Sequence, residues 1–376
     1  MTAGRWRWRG QVALAGVALA FVLFPLTPAD DVISSDWPAY ATGAKLVVSN
    51  PSHLYDLDEQ EKVQLEITGG RRLVTLGIHG ILPFLAPAWV ALVAVPFSLA
   101  GADLGGRLWI EFGLACLGLG IWLATRPRPW LESLPAFAGV PTALLLLNAQ
   151  LDGLVVVGAG AAIALWRRPY LAGLALGLTL MKPQLVLPLG LGLLVARQWR
   201  VIAGWAAAGV LLWAPVAIFN WRWVLDWLAQ TGNTVTSGSR EVDLPHLGTL
   251  LPAAMQTDAV AALTVLSVFG VLALARRRTD NFQRVFAVLV AGGVLAAPHA
   301  LPADLVLVGF ALAVWGQAEW HDWLLLSIGA VLTAVTPAPV PALIGVPVVL
   351  WLLLRLSGVI ETRRPPQPSR QTAAPG

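Results

Sequence analysis

Charge is scarce in this sequence. Asp, Glu, Lys and Arg make up 12% of its 376 residues, against roughly 25% in an ordinary soluble domain. Hydrophobic residues make up 57%, and the mean hydropathy is +0.71. That balance excludes a water-soluble globule. Cysteine is reduced to Cys116 alone, inside an apolar run, which excludes an internal disulfide framework and a cysteine metal site. Lysine is confined to Lys45, Lys62 and Lys182. The other cations are arginines at the ends of apolar segments, a distribution that sets membrane topology and does not suggest a nucleic-acid surface. No clear internal repeat and no soluble domain of any size is present.

What is there is one apolar run after another, many of roughly 17 to 25 residues, the length that crosses a bilayer as a helix. The expected fold class is an all-α polytopic membrane protein of about 11–12 transmembrane helices in one domain over 1–356. The N-terminus reads "RWRWRG" before an apolar run at 11–27. A cleaved signal peptide is one reading of that run, but "LTPADD" lacks a small-x-small cleavage site. The preferred reading is a first span with Arg5, Arg7 and Arg9 held in the cytoplasm. Further spans are expected at 81–100, 108–125, 151–166, 170–181, 184–196, 201–219, 259–275, 283–300, 305–318, 323–336 and 342–356. Alternating sides places Arg107, Arg167, Arg168, Arg197, Arg200, Arg276, Arg277, Arg278, Arg284, Arg355, Arg363 and Arg364 inside. Arg126 and Arg128 are exceptions, so 126–150 is read as an external loop with a re-entrant or interfacial piece. The other external loops are 28–80, expected to carry short amphipathic helices, and 220–258. The latter begins with "NWRWVLDWLAQ", an aromatic amphipathic helix suited to the membrane interface. The tail 357–376 is Pro-rich and expected to be disordered in the cytoplasm. The segments 170–181 and 184–196 are each too short to cross about 30 Å at 1.5 Å per residue. With arginines at both outer ends and "MKPQ" between them, they read as a hairpin entered from the cytoplasm.

The polar groups collect on one side. Asp30, Asp31, Asp36, Asp56, Asp58, Glu59, Glu61 and Glu66 all fall in the first external loop, and His53, His79, His246 and His299 map to the outer face, with only His321 inside. A reaction centre, if present, faces outward. Several residues carry two readings at this point. Lys182 between two apolar helices is a functional candidate by default, or it snorkels to the interface. Asn148, Gln150 and Asp152 open a span at its outer end as ligands or as caps. Asp304 in "AAPHALPADLVLV" is a site residue or an N-cap. Asp36 is a reactive carboxylate, or it caps a helix beginning "WPAYATGAKLVV", where Pro38 suits a first turn. Asp30 and Asp31 invite a divalent cation, but adjacent acids after a span are more often solvated.

The segment "SDWPAYATGAKLVVSNPSHLYD" resembles the first-loop pattern of glycosyltransferase family 87, integral-membrane enzymes of the GT-C superfamily that include polyprenyl-phosphate-mannose-dependent mannosyltransferases. The matching residues are Asp36, Tyr40, Asn50, Pro51, Tyr55 and Asp56. "LPFLAPAWVALVAVPFSL" is similar to the family's Pro-rich second span. "LLLLNAQLDGLVVVGAGAAIAL" resembles its Gly-Gln-Asn segment, with Ala149 where Gly is usual and Asp152 near the usual Asn. "AGLALGLTLMKPQLVLPLGLGLLVARQWR" resembles its Gly-rich helix, Lys-Pro turn and basic end. "LAAPHALPADL" resembles its late Ser-Pro-His element, with Pro302-Ala303 in place of aromatic residues. The resemblance spans most of the chain in order and implies a GT-C-like helical bundle in a bacterial plasma membrane, with both termini cytoplasmic and the site outside.

It further implies a polyprenyl-phosphate hexose donor, mannose first, and a hydroxyl acceptor on a lipid-linked glycan or glycolipid. Asp36 is then the general base of an inverting transfer, and His299 the second titratable group. Lys182 would neutralise the lipid phosphate as a point charge, and Trp37 would stack on a sugar. Tyr40, Asn148, Gln150, His246 and Asp304 complete the candidate contacts. No metal or other cofactor is required, since a cationic side chain can take that electrostatic part. The partners expected are the lipid-linked donor, the acceptor and the bilayer, without nucleic acid. Other functions compete: a transporter or flippase for a lipid-linked sugar, a non-catalytic subunit of envelope glycan assembly, or an enzyme for arabinose or an aminosugar. Against a transporter, there is no repeat and the acids cluster in a loop rather than near the midplane.

Overall fold

A computed structural model of the chain describes residues 32–72, 81–233, 240–277 and 281–360. The expected first span, Arg5, Arg7, Arg9, Asp30, Asp31, His79 and most of the C-terminal tail lie outside the described residues. Among those described, every regular element is helical, as an all-α membrane chain requires, because helices satisfy their own backbone polar groups in lipid. The first loop carries α1 (Trp37–Ser49) and α2 (Leu57–Ile67). They are followed by α3 (Ala88–Ser98), α4 (Ala102–Thr125), the short α5 (Leu134–Phe137) and α6 (Val140–Leu147). Then come α7 (Asp152–Ala164), α8 (Pro169–Leu176), α9 (Leu187–Val195), α10 (Trp199–Ala217) and α11 (Trp223–Asn233). The last third holds α12 (Ala253–Arg276), α13 (Phe282–Ala296), α14 (Val306–Trp315), α15 (Trp320–Val335) and α16 (Val340–Leu356).

Among the described residues, only α4, α10 and α12 are both long and apolar enough to cross a bilayer, and the pair Trp130–Phe137 and Val140–Leu147, bent by 51°, makes a fourth candidate. The other apolar helices have 10–17 residues, or roughly 15–25 Å. Several of them stop at one common level: α7 begins at Asp152, the apolar helices 169–181 and 183–195 meet at Lys182, and α13 ends and α14 begins around His299 and Asp304. The bundle is thereby shortened at the end where its polar residues sit.

Helix direction follows from glycine contacts. Gly113 and Gly120 of α4 meet Gly153 and Gly160 of α7 so closely that a Cβ on either α7 glycine would collide with an α4 carbonyl. Residues seven apart share a face, and the matching order makes α4 and α7 parallel. Small residues allow this backbone approach, which drives helix association where lipid gives no hydrophobic force. In the same way Gly173 of α8 meets Gly204 of α10, and Gly177, just beyond α8, meets Ala208, so α8 and α10 are parallel. The chain must therefore reverse at Lys182 and return through α9, the hairpin expected from the sequence.

This geometry corrects the expected topology in three places. The parallel pair sets Arg126, after α4, beside Arg167, after α7, and the two line one pocket with Gln283. Arg128 donates to the Val314 carbonyl at 2.9 Å, at the far end of α14. Arg126 and Arg128 thus join the end of Arg167, Arg284 and Arg355, and they are no longer exceptions. Residues 126–150 are not a loop on one side: they start at this arginine end and finish at Asn148, beside Asp36. Arg107, expected with Arg167, lies at the opposite end, paired with Asp103 at 3.0 Å, next to glycines packed on Trp37. The proposed span 81–100 is not one either. Trp89 of α3 donates to the Leu180 carbonyl, and Ala102 just beyond α3 accepts from Trp37, so both ends of α3 belong to the Asp36 end. The parity error came from counting α3 as a span and 130–147 as a loop.

At the arginine end, Arg355 forms a buried ion pair with Asp322 at 2.8 Å, and Arg284 donates to the carbonyls of Arg355 and Leu356. At the other end, Trp223 of α11 is fully buried against Trp89, ring centroids 5.1 Å apart, while Trp221, Leu225 and Leu228 are exposed. One face of the aromatic helix docks on the first-loop layer and the other is left for the interface.

Single cysteines placed at Asp103, Arg126 and Arg167 in a Cys116→Ala background test the revised order. A membrane-impermeant thiol reagent is expected to label position 103 from one side, and 126 and 167 from the other. Labelling of 103 and 126 from the same side would overturn it.

Candidate functional site

Asp36 occupies the N-cap position of α1, but its side chain makes no capping hydrogen bond. Asp56, at the start of α2, is the acid that caps, accepting from the amides of Asp58 and Glu59 at 2.9 and 3.2 Å. The Asp36 carboxylate instead accepts from the Gln150 side-chain amide, and its backbone N–H donates to the Asn148 carbonyl at 3.2 Å. The cap reading is therefore set aside for Asp36. Burial is the main cause that pushes its pKa up to about 7, with Asp304 raising it further and Lys182 and His299 opposing.

The turn 148–150 that meets Asp36 is a helix C-terminus of unusual backbone. Ala149 has φ +51°, a left-handed conformation that closes a helix and that glycine adopts most readily. Its carbonyl is held by the Trp109 indole at 2.9 Å. The glycine that the resemblance places here is thus explained by backbone geometry, and alanine keeps the same turn. Asn148 is exposed, and its side chain donates back to Leu144. It reaches Asp36 through its backbone. Tyr40, one turn beyond Asp36, is buried against Trp109 with centroids 5.3 Å apart. Trp37, expected to stack on a sugar, is instead 0% exposed, with its indole N–H spent on the Ala102 carbonyl. Its place is in the packing between α1 and α4.

Lys182 sits in the break between two short 3₁₀ turns, at φ −132° and ψ 75°. The following Pro183 removes a backbone donor and disfavours helical geometry at Lys182. The ammonium is 2.9 Å from an Asp152 oxygen and also contacts Asp304. All three side chains are buried. Snorkelling is thereby ruled out, and Lys182 is not a free cation awaiting a phosphate: its charge is already met twice over. Asp152 makes no cap bond at the start of α7. Asp304 does both things the sequence left open, binding Lys182 through one oxygen and accepting from the Leu301 amide through the other at 2.7 Å.

The segment 240–246 adds two acids the sequence reading missed. Glu241, 5% exposed, accepts from His299 Nδ1 at 2.8 Å and lies 3.4 Å from His246 Nδ1. Asp243 accepts from the amides of Ala300 and His246, both at 2.8 Å, and burial pushes its pKa up to about 7 against those bonds. Val242 and Leu244 add backbone bonds to Ala300 and Leu295. This loop is strapped across the end of α13. The only cue in "REVDLPHLG" was two acids ahead of a histidine in a loop read as external. For His299, burial alone disfavours the imidazolium, but the hydrogen bond and charge of Glu241 outweigh it and its pKa is raised. Its side chain is 48% exposed.

One end of the bundle thus gathers Asp36, Tyr40, Gln150, Asp152, Lys182, Glu241, Asp243, His246, His299 and Asp304, from five separate stretches of chain. His53 stays local, bonded to Asn50 and Ser52. Among the described residues, no group of three His, Cys, Asp or Glu side chains is arranged to hold a metal ion. The half-buried Asp36 carboxylate can take a proton, and the half-exposed His299 imidazolium can meet an anion. A family model for glycosyltransferase family 87 matches residues 84–302, more than half of the chain. No curated protein and no solved structure matches.

Removing the Lys182 ammonium leaves two buried carboxylates without a cation. Breaking a buried pair in this way costs about 3–5 kcal/mol, so Lys182→Met is expected to lower the unfolding temperature in detergent strongly. An unchanged unfolding temperature would refute the bridging role.

Proposed function

The chain belongs to glycosyltransferase family 87 and is a membrane glycosyltransferase, and from that premise we propose that it moves a hexose, mannose first, from a polyprenyl-phosphate carrier to a hydroxyl of a lipid-linked glycan or glycolipid, with inversion, on the extracytoplasmic face of a bacterial plasma membrane. The observation that carries this reading is the Asp36 carboxylate, free of helix capping and held by Gln150 beside the Lys182 cluster and His299. The positive-inside rule supports the sidedness: Arg126, Arg128, Arg167, Arg284 and Arg355 share the opposite end, so in this reading the Asp36 end faces out. A sugar activated on that face arrives on a lipid carrier. The partly exposed Leu174, Leu187 and Leu194 of the α8–α9 hairpin offer an apolar flank for its chain.

The step follows from these groups. Asp36 accepts the proton of the acceptor hydroxyl as its oxygen attacks the anomeric carbon from the face opposite the phosphate. The bond from that carbon to the phosphate oxygen breaks, and its electron pair leaves with the polyprenyl phosphate. The leaving group gains one negative charge. His299, kept cationic by Glu241, meets that charge, with His246 Nδ1 3.4 Å from the second Glu241 oxygen. Lys182 acts through Asp152 and Asp304, fixing the floor on which Asp36 and Gln150 sit. Tyr40 and Gln150 position the base.

In membranes given a radiolabelled polyprenyl-phosphate hexose, Asp36→Asn is expected to abolish transfer while expression is retained. Full activity in that variant would remove Asp36 as the base. The pH profile gives a second check. A base works when ionised, and the folded pKa of Asp36 is raised to about 7, so kcat/KM is expected to rise with pH through about 7. His299 works when protonated and its pKa is raised above 6.5, so activity falls again on the alkaline side. His299→Gln is expected to lower activity and remove only that alkaline limb. An acid limb near pH 4 would contradict the role given to Asp36.

A further inference from the structure

At the end of the bundle opposite Asp36, a pocket of about 420 Å³ is lined by Leu123, Ile163, Arg126, Arg167 and Gln283, among others, a volume within the roughly 300–1,000 Å³ of small-molecule sites. Its walls come from the apolar helices α4 and α7, which run together to this point. Its cations come from the two segments that follow them. We propose that this pocket binds the phosphodiester headgroup of an anionic phospholipid, a site separate from that of sugar transfer.

Four observations carry it. No acidic residue lines the pocket. Among the described residues, neither Arg126 nor Arg167 has an ion-pair partner. Both stand beside aromatic anchors: Arg126 lies over the Trp122 ring at 3.1 Å, and Trp166, next to Arg167, stacks on Phe282 at 3.9 Å. Gln283, next to Phe282, adds its amide donors at the same pocket. Finally, the pocket opens where two apolar helices end in arginines, the depth at which hydrocarbon gives way to headgroups. Guanidinium forks match phosphate oxygens bidentately, and basic pockets between membrane helices on the cytoplasmic side suit anionic headgroups. A headgroup there brings its acyl chains alongside Leu123 and Ile163, which a free anion does not.

The test uses the full chain in a neutral detergent, with binding read by native mass spectrometry and unfolding temperature, and with phosphatidylglycerol, phosphatidylcholine or inorganic phosphate added. Phosphatidylglycerol is expected to bind and raise the unfolding temperature of the unmodified protein, while phosphatidylcholine and inorganic phosphate do so far less. Arg126→Gln with Arg167→Gln is expected to weaken phosphatidylglycerol binding by about tenfold or more. Arg168→Gln, an exposed arginine of the same end that does not line the pocket, is expected to leave it unchanged, as is Asp36→Asn. If the double variant does not purify, Arg126→Gln and Arg167→Gln singly are each expected to weaken binding by a smaller factor. Binding undiminished in the variants that purify, an equal loss in Arg168→Gln, or an equal shift with inorganic phosphate alone would each overturn the proposal.

Discussion

The Lys182 ammonium between Asp152 and Asp304 is the contact on which the active end depends. It joins three places where helices are interrupted: the start of α7, the turn between α8 and α9, and the turn into α14. Each interruption leaves backbone groups that the bilayer cannot satisfy, and each is tolerable because it is buried in protein around a shared charge. Cations and anions at this depth are costly singly and acceptable together. Asp36 and Gln150 then come into register because α7 is fixed by Asp152, two residues beyond Gln150.

A second consequence is electrostatic. With its ammonium already held between two acidic side chains, the cluster has no net positive charge to lend to a leaving phosphate in the proposed transfer. In the proposed transfer that work passes to His299, which Glu241 orders. The arrangement separates a buried polar support from the half-exposed His299, and places the proposed base, Asp36, beside both.

Much of this was legible from residue types. The hydropathy read out an all-helical membrane chain, the proline after Lys182 marked a reversal, and the order of the motifs brought Asp36, Gln150, Lys182, His299 and Asp304 into one list. Pairing was not legible. Nothing in "MKPQ" says that its lysine meets Asp152 and Asp304, 30 and 122 residues away. Trp37 beside Asp36 looked like a sugar platform, yet α1 packs that face onto α4. Glu241 was passed over because one acid in a polar loop carries no periodic signal. The topology erred where length misled: α3 is apolar but begins and ends at one face, whereas the bent 130–147 pair is broken by a glycine and prolines and still traverses. Once those two are exchanged, the arginines at 126 and 128 fall in with their neighbours, and Arg107 is accounted for by Asp103.

The spacing of the three charged partners along the chain also bears on how the protein is made. Asp152 and Lys182 lie on consecutive helices, so a ribosome delivers them to the membrane nearly together. As an opposite-sign pair, they can enter lipid neutral, at less than the roughly 2.5–3.5 kcal/mol each would cost alone at the bilayer centre. Asp304 is synthesised much later, after α12 and α13. The third member of the cluster therefore arrives last, into a site whose walls already stand. The active end is sealed from the inside of the sequence outward, and the early helical hairpin carries its own counter-ion while it waits.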